Sequence, residues 1–123
     1  MDIRDLGPQP LEGLMEGWAL ESHDLVEASP EQLSHKQVQR ARSGRRLTLK
    51  MMMKIARTLN FAIWGRLSDA EREDFKEYLP RQLFSYAKGF QVGVYDPNEA
   101  LYNKIHGRLM RRDFLEELGK VGG

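Results

Sequence analysis

At 123 residues, with 41% hydrophobic residues and five Phe, four Tyr and two Trp, the chain suits one domain with a modest core and is too apolar for disorder. It has no cysteine, which excludes disulfides, zinc–thiolate sites and thiol nucleophiles, and its net charge is only +1. No apolar run approaches the roughly 20 residues that span a bilayer, and the acidic start MDIRDLGPQP lacks the basic lead of a signal peptide, so a soluble cytoplasmic protein that does not engage membranes is expected.

Helical signals dominate. Residues 1–10 read as an N-terminal extension ending at Pro8 and Pro10. Leu11, Leu14, Met15, Trp18 and Ala19 then form one amphipathic stripe. Ser22 is the expected cap of a short helix over 23–28, with Leu25 and Val26 inward. Ser29-Pro30-Glu31-Gln32 has the residue types of a capping box, which predicts a helix from Pro30 carrying Leu33, Val38 and Ala41 inward and stopping at Gly44. Thr48 caps the next helix, whose broad apolar face includes Leu49, Met52, Met53, Ile55, Ala56 and Leu59; the run Met51-Met52-Met53 reads as core filling.

The second half continues in helices. Ser68-Asp69-Ala70-Glu71 is a capping box opening a helix to about Tyr78 or Leu79. Pro80 restarts it, with Leu83, Phe84 and Ala87 inward and Gly89 at its end. Phe90, Val92 and Val94 alternate with polar or small residues, the only strand-like pattern. Asp96-Pro97-Asn98-Glu99 is a third capping box, opening a helix with Leu101, Tyr102, Ile105, Leu109 and Met110 apolar, which Gly107 weakens and which frays by Lys120.

Charge is segregated along this chain. From Gln32 to Ser68 there is no Asp or Glu but nine bases: Lys36, Arg40, Arg42, Arg45, Arg46, Lys50, Lys54, Arg57 and Arg66. Residues 1–31 hold eight acids and one base, Arg4. A local positive field on a nearly neutral protein attracts polyanions, nucleic acid foremost.

Residues 33–59, LSHKQVQRARSGRRLTLKMMMKIARTL, lie inside this field. Over roughly residues 11–60 the chain resembles the lambda-repressor-like helix-turn-helix family of the phage-repressor and xenobiotic-response type. Leu33-Ser34 is similar to the family's opening of the recognition helix, Val38 and Ala41 to its inward positions, Gly44-Arg45-Arg46 to its basic turn, and Lys54-Ile55-Ala56-Arg57-Thr58-Leu59 to its closing helix. Three features depart from the family: six residues, 27–32, separate Leu25-Val26 from Leu33; Ser22 stands where a Gln often begins the first motif helix; and Arg42 stands where a Glu is frequent.

The resemblance implies an all-α, lambda-repressor-like helix-turn-helix bundle over 11–67, with additional C-terminal helices in 68–123. It implies a sequence-specific binder of double-stranded DNA, a transcriptional regulator of bacterial or phage type, with the helix at about 34–43 in the major groove. A second register would open the first motif helix at Ser29 and make 48–59 the recognition helix. That segment is too apolar all round to offer polar groups to base edges, whereas His35, Lys36, Gln37, Gln39 and Arg40 surround only Val38. Base reading is therefore expected from Lys36, Gln37, Gln39 and Arg40, since Gln pairs with adenine and Arg or Lys with guanine. Phosphate contacts are expected from Ser34, His35, Arg45 and Arg46.

Other chemistry finds little support. His23, Asp24 and Glu27 lack metal-ligand spacing, and Asp69, Glu71, Glu73, Asp74 and Glu77 beside Arg72 and Lys76 read as a solvated helix face. There is no phosphate-cradling Gly loop and no triad, so neither an enzyme nor a cofactor is expected. Trp18, Trp64, Phe61 and Phe75 read as core or interface anchors. Residues 69–99 are net acidic, with seven acids and four bases, and carry Phe75, Tyr78, Phe84, Tyr86, Phe90 and Tyr95. The expectation is a homodimer built mainly from the C-terminal half, with 90–95 as a strand paired across it; the alternative is that these aromatics cover the core of one chain. A protein-interaction module using the acidic N-terminal face and the C-terminal helices is the competing function.

Overall fold

The computed structural model describes residues 6–93 and 96–122, with side chains as far as Arg111. The described residues form seven helices: α1 Pro10–Gly17, α2 Ser22–Ala28, α3 His35–Ser43, α4 Leu49–Trp64, α5 Asp69–Asp74, α6 Pro80–Leu83 and α7 Glu99–Gly122. The molecule is all-α. One buried apolar cluster runs from Leu11 to Leu109, so the C-terminal helices share a core with the first four.

α4 is the centre of that core, with Met52, Ile55, Ala56, Thr58, Leu59, Ala62 and Ile63 buried. Its Thr48 cap accepts the Met51 N–H, as expected. α1 buries Leu11 and Met15 and ends at Trp18; Ala19 then turns left-handed (φ 57°), and the Leu20 N–H returns to the Met15 carbonyl at 2.8 Å.

Two caps differ from expectation. Glu21, not Ser22, is the N-cap of α2, and Asp24 accepts the Glu21 N–H at 2.7 Å. Ser29 opens no helix. It follows the end of α2 in extended conformation, and its hydroxyl accepts the N–H groups of Glu31 (3.2 Å) and Leu33 (3.3 Å). Thr58 of α4 holds that hydroxyl from below at 3.5 Å, and Gln32 is left-handed (φ 55°). The same residue types that make a capping box here fold a turn, which seats Leu33 in the core and leaves Ser34 as the true cap of α3.

The helices of the acidic stretch are shorter than their pattern. α5 has the expected Ser68 capping box but stops at Asp74, and α6 ends at Leu83. Between them residues 75–79 are extended because two remote asparagines hold the backbone. Asn98 accepts the Lys76 N–H (2.8 Å) and donates to the Lys76 carbonyl (2.7 Å). Asn60 does the same for Tyr78, at 2.8 and 3.0 Å. Residues 90–93 form no strand; 92–93 turn, with Gly93 at φ 75°, and residues 94 and 95 of the expected strand lie outside the described residues. α7 passes Gly107 without a break to Gly122.

The aromatics of this half mostly serve the chain's own core. Tyr78 and Phe84 are fully buried. The Trp18 indole donates to the Tyr78 hydroxyl (3.2 Å), which donates to the Asp96 carboxylate (2.8 Å), tying α1 to the start of α7. Burial raises the Tyr78 hydroxyl pKa, so it stays protonated in that link.

Candidate nucleic-acid interface

α3 is built to be polar outside and anchored inside. Ser34 accepts the Gln37 N–H (3.1 Å) and the Gln37 side-chain carbonyl accepts the Ser34 N–H (3.0 Å), a reciprocal capping box. Gly44 ends the helix at φ 95°; a Cβ there would collide with the Gly7 carbonyl. Only Val38 and Ala41 are buried.

At 3.6 residues per turn, His35, Lys36, Gln39, Arg40 and Ser43 fall within an arc of about 140°, and all five are exposed. That arc carries no acid. It brings together three of the four expected base readers, Lys36, Gln39 and Arg40, with His35. Gln37 stands on the flank, half-buried, with its carbonyl committed to the cap and its NH2 left over. Ser43 joins the arc although no sequence signal singled it out; its hydroxyl donates to the Arg40 carbonyl. Gln39 is steadied by the Ser22 hydroxyl, which donates to its side-chain oxygen at 3.3 Å.

Ser34 offers less to a phosphate than expected, since its N–H is taken by Gln37. Among the described residues, the N–H groups of His35 and Lys36 at the same helix end have no hydrogen-bond partner.

Arg45 and Arg46 are exposed directly after the helix. A residue the sequence did not reveal shapes their turn. Tyr86 accepts the Leu47 N–H (3.0 Å), donates to the Arg45 carbonyl (3.3 Å), and lies under the Arg46 guanidinium, 5.8 Å from the ring centre. Burial raises its hydroxyl pKa. From the N-terminal side the Leu6 N–H donates to the Gly44 carbonyl at 2.9 Å.

The nine bases divide. Arg42 makes a bidentate pair with Glu12 of α1 (2.7 and 2.8 Å) and donates to Ser22. Arg57 pairs with Glu31 and Arg66 with Asp24. The hydrogen bonds from Arg42 hold the Glu12 carboxyl below its ordinary range, against the opposing push of burial, and the pair raises Arg42 in turn. Lys36, Arg40, Arg45, Arg46, Lys50 and Lys54 have no ion-pair partner among the described residues. The acids of residues 1–31 thus neutralise three bases at helix contacts, and those on the α3 arc and the following turn keep their field.

Comparison with protein-family models, with curated proteins and with solved structures found no match.

Proposed function

We propose that this protein binds double-stranded DNA sequence-specifically, as a helix-turn-helix transcriptional regulator of bacterial or phage type that inserts α3 in the major groove and acts as a homodimer. The observation that carries the reading is the acid-free outward arc of α3, continuous in sequence with the exposed Arg45 and Arg46. A groove-reading helix needs one apolar side, polar side chains on the other and cations near the phosphates. α3 supplies the first with Val38 and Ala41, the second with Lys36, Gln39 and Arg40, and the third with His35, Arg45 and Arg46. Gln37 contributes through its NH2 alone. Two copies give the two half-sites that one short helix cannot read with enough affinity.

Fluorescence anisotropy with mixed duplex DNA at low and moderate salt tests this. Binding that falls steeply with salt is expected, because cations that meet phosphates release counterions. No binding at low salt ends the reading. A protein-interaction role is favoured by one observation, the exposed apolar side chains Leu49, Met53, Phe61 and Trp64 of α4.

A further inference from the structure

Phe61 and Trp64 are the most exposed aromatics among the described residues, at 54% and 43%, whereas Trp18 is buried. They stand one turn apart on α4 and, with Phe75, wall a groove of about 360 Å³. The Trp64 and Phe75 rings lie 6.1 Å apart at 64° to each other, so they form a corner rather than a flat shelf. A volume of that order is the size of a small-molecule site.

The polar side chains of the groove restrict what it can hold. Three line it: Arg57, Asn60 and Glu77. Asn60 is committed to the Tyr78 backbone at both ends of its amide. Arg57 gives Nε and Nη2 to Glu31 at 3.0 and 2.7 Å, which offsets its charge. Glu77 is exposed and has no ion-pair partner among the described residues. The charge left over in the groove is therefore negative, and it stands among three rings whose faces are electron-rich. One of those rings already attracts a cation. The Arg72 guanidinium lies over Trp64, 5.1 Å from the ring centre.

Such a groove repels anions and gives a neutral apolar molecule nothing in return for the Glu77 charge. A primary ammonium answers that charge, but it is strongly hydrated and loses its water against three rings. A methylated ammonium spreads its charge over a hydrocarbon surface. It meets the carboxylate and the rings together at a smaller desolvation cost.

We propose that the groove walled by Phe61, Trp64 and Phe75, with Glu77 as counter-ion, binds a methylated ammonium group. The site lies on α4 and the segment between α5 and α6, apart from the α3 arc, and does not depend on the DNA reading.

Nitrogen–proton correlation NMR of the full chain, titrated with choline chloride against sodium chloride at equal ionic strength, tests it. The Trp64 indole N–H is expected to move and saturate with a Kd in the millimolar range, which suits a ligand of few atoms. The Trp18 indole N–H, which Tyr78 holds in the core, stays in place and reports an intact fold. Neohexyl alcohol, the uncharged carbon isostere of choline, is expected to bind about tenfold more weakly. Glu77→Gln and Phe61→Leu each weaken choline about three- to tenfold with the Trp18 signal unmoved. Trimethyllysine blocked at both ends carries the same group as a side chain; the tighter of it and choline tells whether a partner's tail or a free solute is the source. A Trp64 signal that is still at about 100 mM choline overturns the proposal. So does a shift that sodium chloride reproduces, equal binding of the alcohol, or a Glu77→Gln chain that binds choline as the parent does. Each of these leaves DNA binding, read separately by anisotropy, as it was.

Discussion

α3 and α4 follow one another in the chain and solve opposite problems. α3 commits two small side chains to the core and presents His35, Lys36, Gln39, Arg40 and Ser43 to solvent. α4 buries seven residues and still exposes Leu49, Met53, Phe61 and Trp64. One helix is therefore held mainly by polar devices at its ends and flank: the Ser34–Gln37 cap, the Gly44 stop and the Arg42–Glu12 pair. The other is held by burial and is itself the support. Such a division lets the outward residues of α3 change without cost to the core, while α4 cannot change inwardly at all.

The sharpest break of this contrast is a cavity in each helix. Leu59→Ala in α4 is expected to cost about 2–5 kcal/mol of unfolding free energy, and Val38→Ala in α3 about 1–2 kcal/mol, both read from urea denaturation. Equal costs would make α3 as central as α4. Next come the outward cations. Arg40→Ala is expected to lose about 1–3 kcal/mol on the preferred DNA site and relax its sequence preference. Arg45→Ala and Arg46→Ala should instead weaken all duplexes alike and lower the salt slope by about one each. Anisotropy on matched and mismatched duplexes separates the two classes; identical behaviour would dissolve the distinction between helix and turn.

The flank of α3 gives a smaller effect. Arg42→Ala leaves Glu12 without its partner and should cost about 1–2 kcal/mol, between the surface and buried limits for an ion pair. The exchanged pair, Glu12→Arg with Arg42→Glu, should recover part of it in the same denaturation assay.

Acid titration compares the polar ties as a group. The Arg108 hydrogen bonds, helped by the Ser68 N–H, pull the Glu71 carboxyl down to about 2, and Arg42 and Arg57 lower Glu12 and Glu31. Each contributes stability that is complete above the ordinary carboxylate range and is lost as pH falls through its folded-state pKa. Stability should therefore decline from about pH 4.5 toward pH 2, and Glu71→Gln should flatten the lowest part of that decline. Smallest of all, Tyr86→Phe keeps the ring under Arg46 but removes the hydroxyl between Leu47 and Arg45. It should cost about 0.5–1.5 kcal/mol in denaturation and weaken DNA binding without altering its sequence preference.

Much of this layout is legible in the residues. Thr48 and Ser68 announce their helices because a hydroxyl at the N-cap is a local device. Gly44 announces a stop because its conformation is local too. Ser29 misleads for the same reason: its pattern is local, but Thr58, 29 positions away, helps decide what its hydroxyl does. Of the candidate interface, the α3 residues follow from helical spacing and the acid-free composition. Which bases stay without carboxylate partners does not follow, because the pairs Glu12–Arg42, Asp24–Arg66 and Glu31–Arg57 are tertiary. Tyr86 had only the standing of a surplus aromatic until its hydroxyl was seen between two backbone groups of a turn 39 to 41 positions earlier.

The extended stretch between α5 and α6 has no neighbouring strand among the described residues, yet four of its backbone groups are matched, two by Asn60 and two by Asn98. Both side chains act as substitutes for a missing ladder, and only a primary amide has the donor and acceptor side by side to do so. Aspartate, nearly the same shape, would set a carboxylate oxygen against a peptide carbonyl. The clamps also join positions 18 and 22 apart, so neither can close until α4, which bears Asn60, and the turn before α7, which bears Asn98, have reached their places. The segment is thus among the last parts of the backbone to lose its freedom, and its amides at Lys76 and Tyr78 should exchange with solvent at a rate that reports whether α4 and the start of α7 are docked at once.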